Sequence, residues 1–307
     1  MKSPETAYLS GFAKPLGVIC AVLAAVGFSG KAILVKLAYP EGITAVPLLT
    51  LRMLFSVPIF LTIATLEARK AQRLSSVDLL KITALGFVGY YLSSLFDFMG
   101  LQHISAGLER LILFLYPTFV VLFSALLFRR PVRLYQVGAL ILCYSGIGIV
   151  YFHESMADNP QLLIGSILVL TSCLTYAGYL IGAGEMIRKV GATRFTAYAM
   201  LVSCVVALSQ YLYSNPIQDL MGYSPRVYEL SLLMAVFSTV LPVFCLAYGI
   251  KQIGAGNAAM IGSLGPVATI LMAAYFLNEP ITPTQLVGSV LVLLGVTWVG
   301  SRSNRKS

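Results

Sequence analysis

The sequence predicts an all-α integral membrane protein whose ten transmembrane helices form two inverted five-helix repeats. Three observations predict it: a composition too apolar for water, a succession of bilayer-length apolar segments, and an internal repeat in constant register. Of the 307 residues, 58% are hydrophobic and 11% charged, and the mean hydropathy is +0.85. A water-soluble domain carries about a quarter charged residues, so most of the outward surface here must meet lipid.

A helix needs about 20 apolar residues to cross the hydrocarbon, and only helices or closed barrels satisfy the backbone there. Strand-like alternation is missing, so the segments are read as helices. They run 16–36, 46–66, 79–101, 105–127 and 134–151, then 162–184, 195–213, 228–250, 255–277 and 284–300. The halves divide as 1–151 and 152–307. The first segment continues past Lys31 and Lys36 without a small-residue cleavage site, so it is expected to stay in the mature protein. Joints such as His103-Ile104-Ser105 and Asn278-Glu279-Pro280 are long enough only for tight turns.

Orientation follows from the lysines and arginines. With both termini in the cytoplasm, sixteen of the 21 basic residues lie on the inner side. Only Lys36 and Arg226 lie on the outer side, and Lys31, Arg52 and Arg110 fall within spans. The net charge of +9 is thereby assigned to an anionic inner leaflet and not to nucleic acid.

The halves align without a gap. The segment Gly100-Leu101-Gln102-His103-Ile104-Ser105-Ala106-Gly107 reads against Gly249-Ile250-Lys251-Gln252-Ile253-Gly254-Ala255-Gly256. In the same register Pro117 meets Pro266, Pro131 meets Pro280, Gln136 meets Gln285 and Gly146 meets Gly295. An odd number of spans per half turns the second half upside down, a recurring device of secondary transporters. These paired units, Tyr116-Pro117 with Phe128-Arg129-Arg130-Pro131 and Gly265-Pro266 with Leu277-Asn278-Glu279-Pro280, resemble the drug/metabolite transporter superfamily of the EamA type over nearly the whole chain. The resemblance implies ten spans, a central cavity and metabolite export across a bacterial inner membrane. That family usually places an acidic residue before the last proline. Glu279 keeps it and Arg130 departs from it, so no role is transferred to either.

Pro117 and Pro266, both expected mid-span, would free backbone carbonyls and kink their helices, as hinges or cavity walls. Gly86/Gly89 and Gly178/Gly182, at helical spacing, read as packing contacts.

Ionisable side chains inside spans are costly and are candidates for function. Lys31, Arg52, Asp97, Glu109 and Arg110 are all expected in the outer portion of the N-terminal half. The second half offers Ala258-Ala259 against Glu109-Arg110. The cluster has three readings: an outer gate, an anionic or zwitterionic binding site using the surplus positive charge, or a proton relay. Arg110 projects from a different face than Glu109 and is also read as packing. Tyr90, Tyr91, Tyr116, Tyr176, Tyr179 and Tyr248 lie within spans, away from the interfacial belt where tyrosine is usual. With Asn257 and Ser263 they can line a cavity with apolar walls and a few polar groups.

The five cysteines sit in apolar stretches and the two histidines lie far apart, which predicts neither disulfides nor a metal site. There is no GxxxxGK[ST] phosphate loop, and no cofactor or enzymatic activity is expected. The expected function is a secondary transporter exporting a small metabolite, an amino acid or a similar solute. Proton-coupled multidrug efflux and a channel or non-transporting membrane protein are the alternatives. Expected partners are the lipid bilayer, a small-molecule substrate and protons as a candidate coupling ion, in a monomer or homodimer.

Overall fold

The computed structural model describes residues 4–70, 74–128, 134–156, 159–253, 258, 261–262 and 264–304, and every regular element among them is helical. The first half contains α1 (Pro4–Ala38), α2 (Ala45–Lys70), α3 (Ser76–Gly86), α4 (Ser93–Leu101), α5 (Ala106–Leu113), α6 (Tyr116–Phe128) and α7 (Leu134–Ser155). The second contains α8 (Leu162–Val190), α9 (Ala192–Ser214), α10 (Pro225–Ala235), α11 (Leu241–Ile253), α12 (Gly265–Leu277) and α13 (Pro283–Asn304). A π-helical turn, Phe87–Leu92, joins α3 to α4, and a second, Val236–Val240, joins α10 to α11.

Among the described residues, seven helices are long and apolar enough to cross a membrane. The other three expected spans differ from that reading. The fourth, 105–127, is interrupted between α5 and α6. The ninth is described continuously only from Gly265, and the tenth is apolar over Pro283–Trp298.

The interruption corrects the expectation of a kink within a continuous helix. Pro117 stands in the first turn of α6 and Pro266 in the first turn of α12, where the missing N–H costs least. The chain therefore tightens one turn earlier. Leu115 N–H bonds Ile112 O at 3.0 Å, and Leu264 N–H bonds Ile261 O at 3.0 Å. Pro117 cannot donate to the Leu113 carbonyl; the Cys173 thiol of α8 reaches that carbonyl at 3.5 Å instead.

These two turns occupy matching places. A shift of 149 residues carries Tyr116–Phe128 onto Gly265–Leu277 and Leu134–Ser155 onto Pro283–Asn304. The same shift brings the start of one π-turn, Phe87, onto the start of the other, Val236. Packing repeats as well: α1 lies on α11 as α8 lies on α4, while α2 pairs with α9 and α7 with α13.

The α7–α13 contact shows how small residues permit this. A Cβ on Gly146 would lie 2.5 Å from Gly288 O, and one on Gly295 would lie 2.7 Å from Ala139 O. The Cys143 thiol points to Val292 O at 3.7 Å. As α7 numbers rise the facing α13 numbers fall, so the two helices are antiparallel. Gly146→Ala should lower the unfolding midpoint in detergent. Overpacking of about 1–3 kcal/mol against an immovable carbonyl outweighs the ~1 kcal/mol that alanine gains in helix propensity. An unchanged or raised midpoint would refute the close crossing.

Of the glycines expected to pack, Gly86 meets the Ala199 backbone, Gly182 meets Leu85 and Gly89 meets Tyr179, whereas Gly178 has nothing within 4 Å. Outward positions such as Leu126, Ile141, Phe152 and Val205 are large, apolar and exposed. Such a surface is stable against acyl chains and would associate in water. At the end of the bundle where α3 begins and α8 finishes, Lys189 bonds Asp78 at 2.7 Å and Lys81 bonds Glu185 at 3.2 Å.

Candidate functional site

The structure brings together three of the five charges. Lys31 Nζ of α1 lies 2.5 Å from Asp97 Oδ2 of α4 and 3.4 Å from Glu109 Oε1 of α5. Asp97 and Glu109 are buried side chains, while the Lys31 side chain is 18% exposed. Among the described residues, Asp97 Oδ1 and both Glu109 oxygens have no hydrogen-bond partner.

Local structure explains this placement. Ser105 caps α5, accepting from Leu108 N–H at 3.0 Å, and its hydroxyl donates to Glu154. Glu279 accepts from Ala106 N–H at 3.3 Å, which puts negative charge at the positive end of α5. Tyr39 donates to Phe98 O at 2.5 Å, and Ser93 Oγ lies 3.1 Å from Ser172 Oγ, tying α4 to α8. The start of α5 and the face of α4 that carry Glu109 and Asp97 are thus held on several sides.

The two arginines stand apart from the ion pairs. Arg52 is buried, donates to Ser94 Oγ at 3.0 Å and lays its guanidinium 4.9 Å from the centre of the Phe98 ring. Arg110 lies 5.6 Å from the centre of the Phe114 ring. Its Nε has no hydrogen-bond partner among the described residues, and its Nη2 would be 2.5 Å from a Cβ placed on Gly265. Arg110 therefore sits where the two helix interruptions approach each other. Only the missing side chain of Gly265 leaves it room. Arg110 thus both packs on Phe114 and keeps a nitrogen without a hydrogen-bond partner among the described residues.

A row of rings extends from this point. Tyr116 meets Tyr176 edge-on with centres 5.6 Å apart, and Tyr176 stacks on Tyr179, also at 5.6 Å. The Tyr179 hydroxyl donates to Tyr90 at 2.9 Å. Tyr179 can lie there because position 89 is glycine: a Cβ would fall 2.2 Å from two of its ring carbons. Tyr248, on α11, joins this row by no hydrogen bond or ring contact among the described residues. Tyr91 lies tilted against Phe87, with ring centres 5.4 Å apart. Asn257 and Ser263 lie outside the described residues.

Although helix positions repeat, the site does not. At the 149-residue shift, Lys31, Arg52, Asp97, Glu109 and Arg110 correspond to Leu180, Leu201, Leu246, Ala258 and Ala259. Tyr116, Tyr176 and Tyr179 correspond to Gly265, Gly27 and Gly30. The backbone is shared, but the charges stand only in the first half, and the ring row joins Tyr116 of that half to Tyr176 and Tyr179 of the second.

Sequence reasoning missed Ser94, Phe98, Phe114 and Gly265 as neighbours of the arginines. A usable signal was present for two of them, since Ser94, Asp97 and Phe98 share one helix face by spacing. It also missed Glu154 and Glu279 at the start of α5, which the chain brings there only by folding.

A helical bundle with an apolar exterior, seven membrane-length helices and a buried charge cluster defines a multi-pass membrane protein. The family model for the EamA-like transporter family matches residues 15–152 and 163–301, and the chain belongs to that family of membrane transporters. It is 32% identical over 294 residues to the uncharacterized transporter YcbK of Bacillus subtilis, covering 93% of each chain. It is 27% identical over 225 residues to an uncharacterized transporter of Archaeoglobus fulgidus, covering 73% of this chain and 79% of that one. A solved crystal structure superposes with a TM-score of 0.63 over 97% of this chain and 99% of its own; at 15% identity this likeness concerns fold alone.

Proposed function

We propose that the protein is a secondary transporter that exports a small zwitterionic or anionic solute, such as an amino acid, by alternating access. In this reading ten spans form two inverted repeats in a bacterial inner membrane with both termini cytoplasmic. The antiparallel α7–α13 contact supports the inversion, because equivalent helices related by an axis in the membrane plane must run oppositely. The observation that carries the functional reading is the meeting of two equivalent helix interruptions at Arg110. Discontinuous helices near the midplane are a recurring construction of solute sites in transporters. The guanidinium offers a carboxylate fork there, with Tyr116 and Tyr176 as walls. The surplus of positive charge disfavours a cationic drug as substrate.

Reconstituted protein tests this by solute counterflow in proteoliposomes, with a mixed amino-acid and metabolite panel. Saturable counterflow of one carboxylate-bearing solute is expected. Flux that neither saturates nor shows counterflow would replace the transporter by a channel. Arg110→Lys keeps the charge and loses the fork, so it should weaken the half-saturating concentration by about tenfold or more. An unchanged value would remove Arg110 from the binding site.

A further inference from the structure

We infer that Asp97 and Glu109 hold one proton between them over Lys31, and that Glu109 is the group that releases it once per transport cycle. The inference rests on the transport reading above and names its coupling ion. Its basis is a mismatch of charge within one buried cluster. A single ammonium serves two carboxylates. It sits at 2.5 Å from Asp97 and 3.4 Å from Glu109, so Asp97 holds it more closely. Glu109 is fully buried, and neither of its oxygens has a hydrogen-bond partner among the described residues. An ionised carboxylate is very costly in that condition, and the neutral acid is the form such a site selects.

Among the described residues no cation besides Lys31 forms an ion pair with either carboxylate, although Arg52 and Arg110 lie close enough to act on them at longer range. On α2, Arg52 is committed to Ser94 and the Phe98 ring. On α5 itself, Arg110 turns along Phe114 towards Gly265. Tyr39 donates to Phe98 O and the Cys173 thiol to Leu113 O, so neither brings a cation to the cluster. Glu154 and Glu279 at the start of α5 face the Lys36 ammonium of α1, which offsets part of their charge, and Gln285 on α13 approaches Gly107 without charge. Two like-charged carboxyls on one cation share a proton unless a second cation arrives.

The geometry also gives the proton a route. Of the three side chains only Lys31 is partly exposed, so the opening to the cluster lies along α1. When α1 moves relative to α4 and α5, the Glu109 O–H bond breaks. Its electron pair stays on the carboxylate and the proton passes to water. The equivalents Leu180, Leu246 and Ala258 cannot titrate, so the cluster provides one proton site and not two.

The test begins without transport. Infrared spectra of the full-length protein in liposomes at neutral pH should contain the stretching band of a protonated carboxyl. Glu109→Gln should abolish that band, and Glu109→Asp should move it without removing it. A wild-type spectrum lacking the band, or a band unchanged in both variants, would overturn the inference. Transport then tests the coupling: in Glu109→Gln, counterflow should continue while uptake driven by a pH gradient is lost. Gradient-driven uptake surviving in Glu109→Gln would overturn the coupling role. Failure of wild-type counterflow would instead sink the transport reading and leave the infrared result standing.

Discussion

Replacing Lys31 with methionine is expected to destabilise the protein by about 3–5 kcal/mol, the cost of removing one partner from a buried ion pair. Methionine fills much of the lysine stem, so lost volume contributes little. The loss comes from Asp97, which is left buried without its ammonium at 2.5 Å. Thermal unfolding in detergent should show a large fall in midpoint. The identity of the rescuing change is informative. If Glu109 is already neutral, Asp97→Asn in the Lys31→Met chain should recover most of the loss and Glu109→Gln should recover little. A Lys31→Met protein that melts like wild type would show that the cluster is solvated and not a buried network. Equal rescue by either carboxyl replacement would instead assign both negative charges to the folded state.

Gly89→Ala is the second large effect. The added Cβ would stand 2.2 Å from two ring carbons of Tyr179 and 2.5 Å from its Cβ. Overpacking usually costs about 1–3 kcal/mol, but here the clash includes the root of the tyrosine side chain. That atom moves only if α8 moves, so the upper end of the range or more is expected. The π-turn at Phe87–Leu92 sets this approach, and turns of this kind occur often at functional sites. Tyr179→Ala in the same chain should restore folding, with a coupling energy visible in the double-mutant cycle. Wild-type stability for Gly89→Ala would mean that α3–α4 and α8 are not in contact at this level. Loss without rescue would place the fault in the π-turn itself.

Much of this molecule is legible in its sequence because the bilayer imposes strict rules. Apolar length, the sparing use of charge and the register that aligns Pro117 with Pro266 are one-dimensional signals. Each follows from the need to bond every backbone group inside lipid. The five charges within spans are legible for the same reason, since ionisable residues in apolar segments are rare. Their partners were not. Nothing in sequence separation says that Lys31 meets Asp97, 66 residues away, in preference to Arg52 or Arg110 doing so. Rotation of α1, α2 and α5 about their own axes decides that. A proline within an apolar segment reads as a kink, yet Pro117 and Pro266 each mark the first turn of a new helix. A carbonyl left without its donor has to be satisfied from elsewhere, and for Leu113 the donor is Cys173 on another helix.

By itself the sequence determined that this chain is an internally repeated helical membrane protein and that the charges within its spans are concentrated in the first half. It did so because hydrophobicity and repeat register are properties of order along the chain. Only the tertiary structure decided that Lys31 bridges two carboxylates while Arg110 stands apart at Gly265. It also decided that Tyr179 rests on Gly89 and that Glu154 and Glu279 close the start of α5. Those outcomes depend on close approach between helices far apart in sequence, which glycine positions permit but only packing realises.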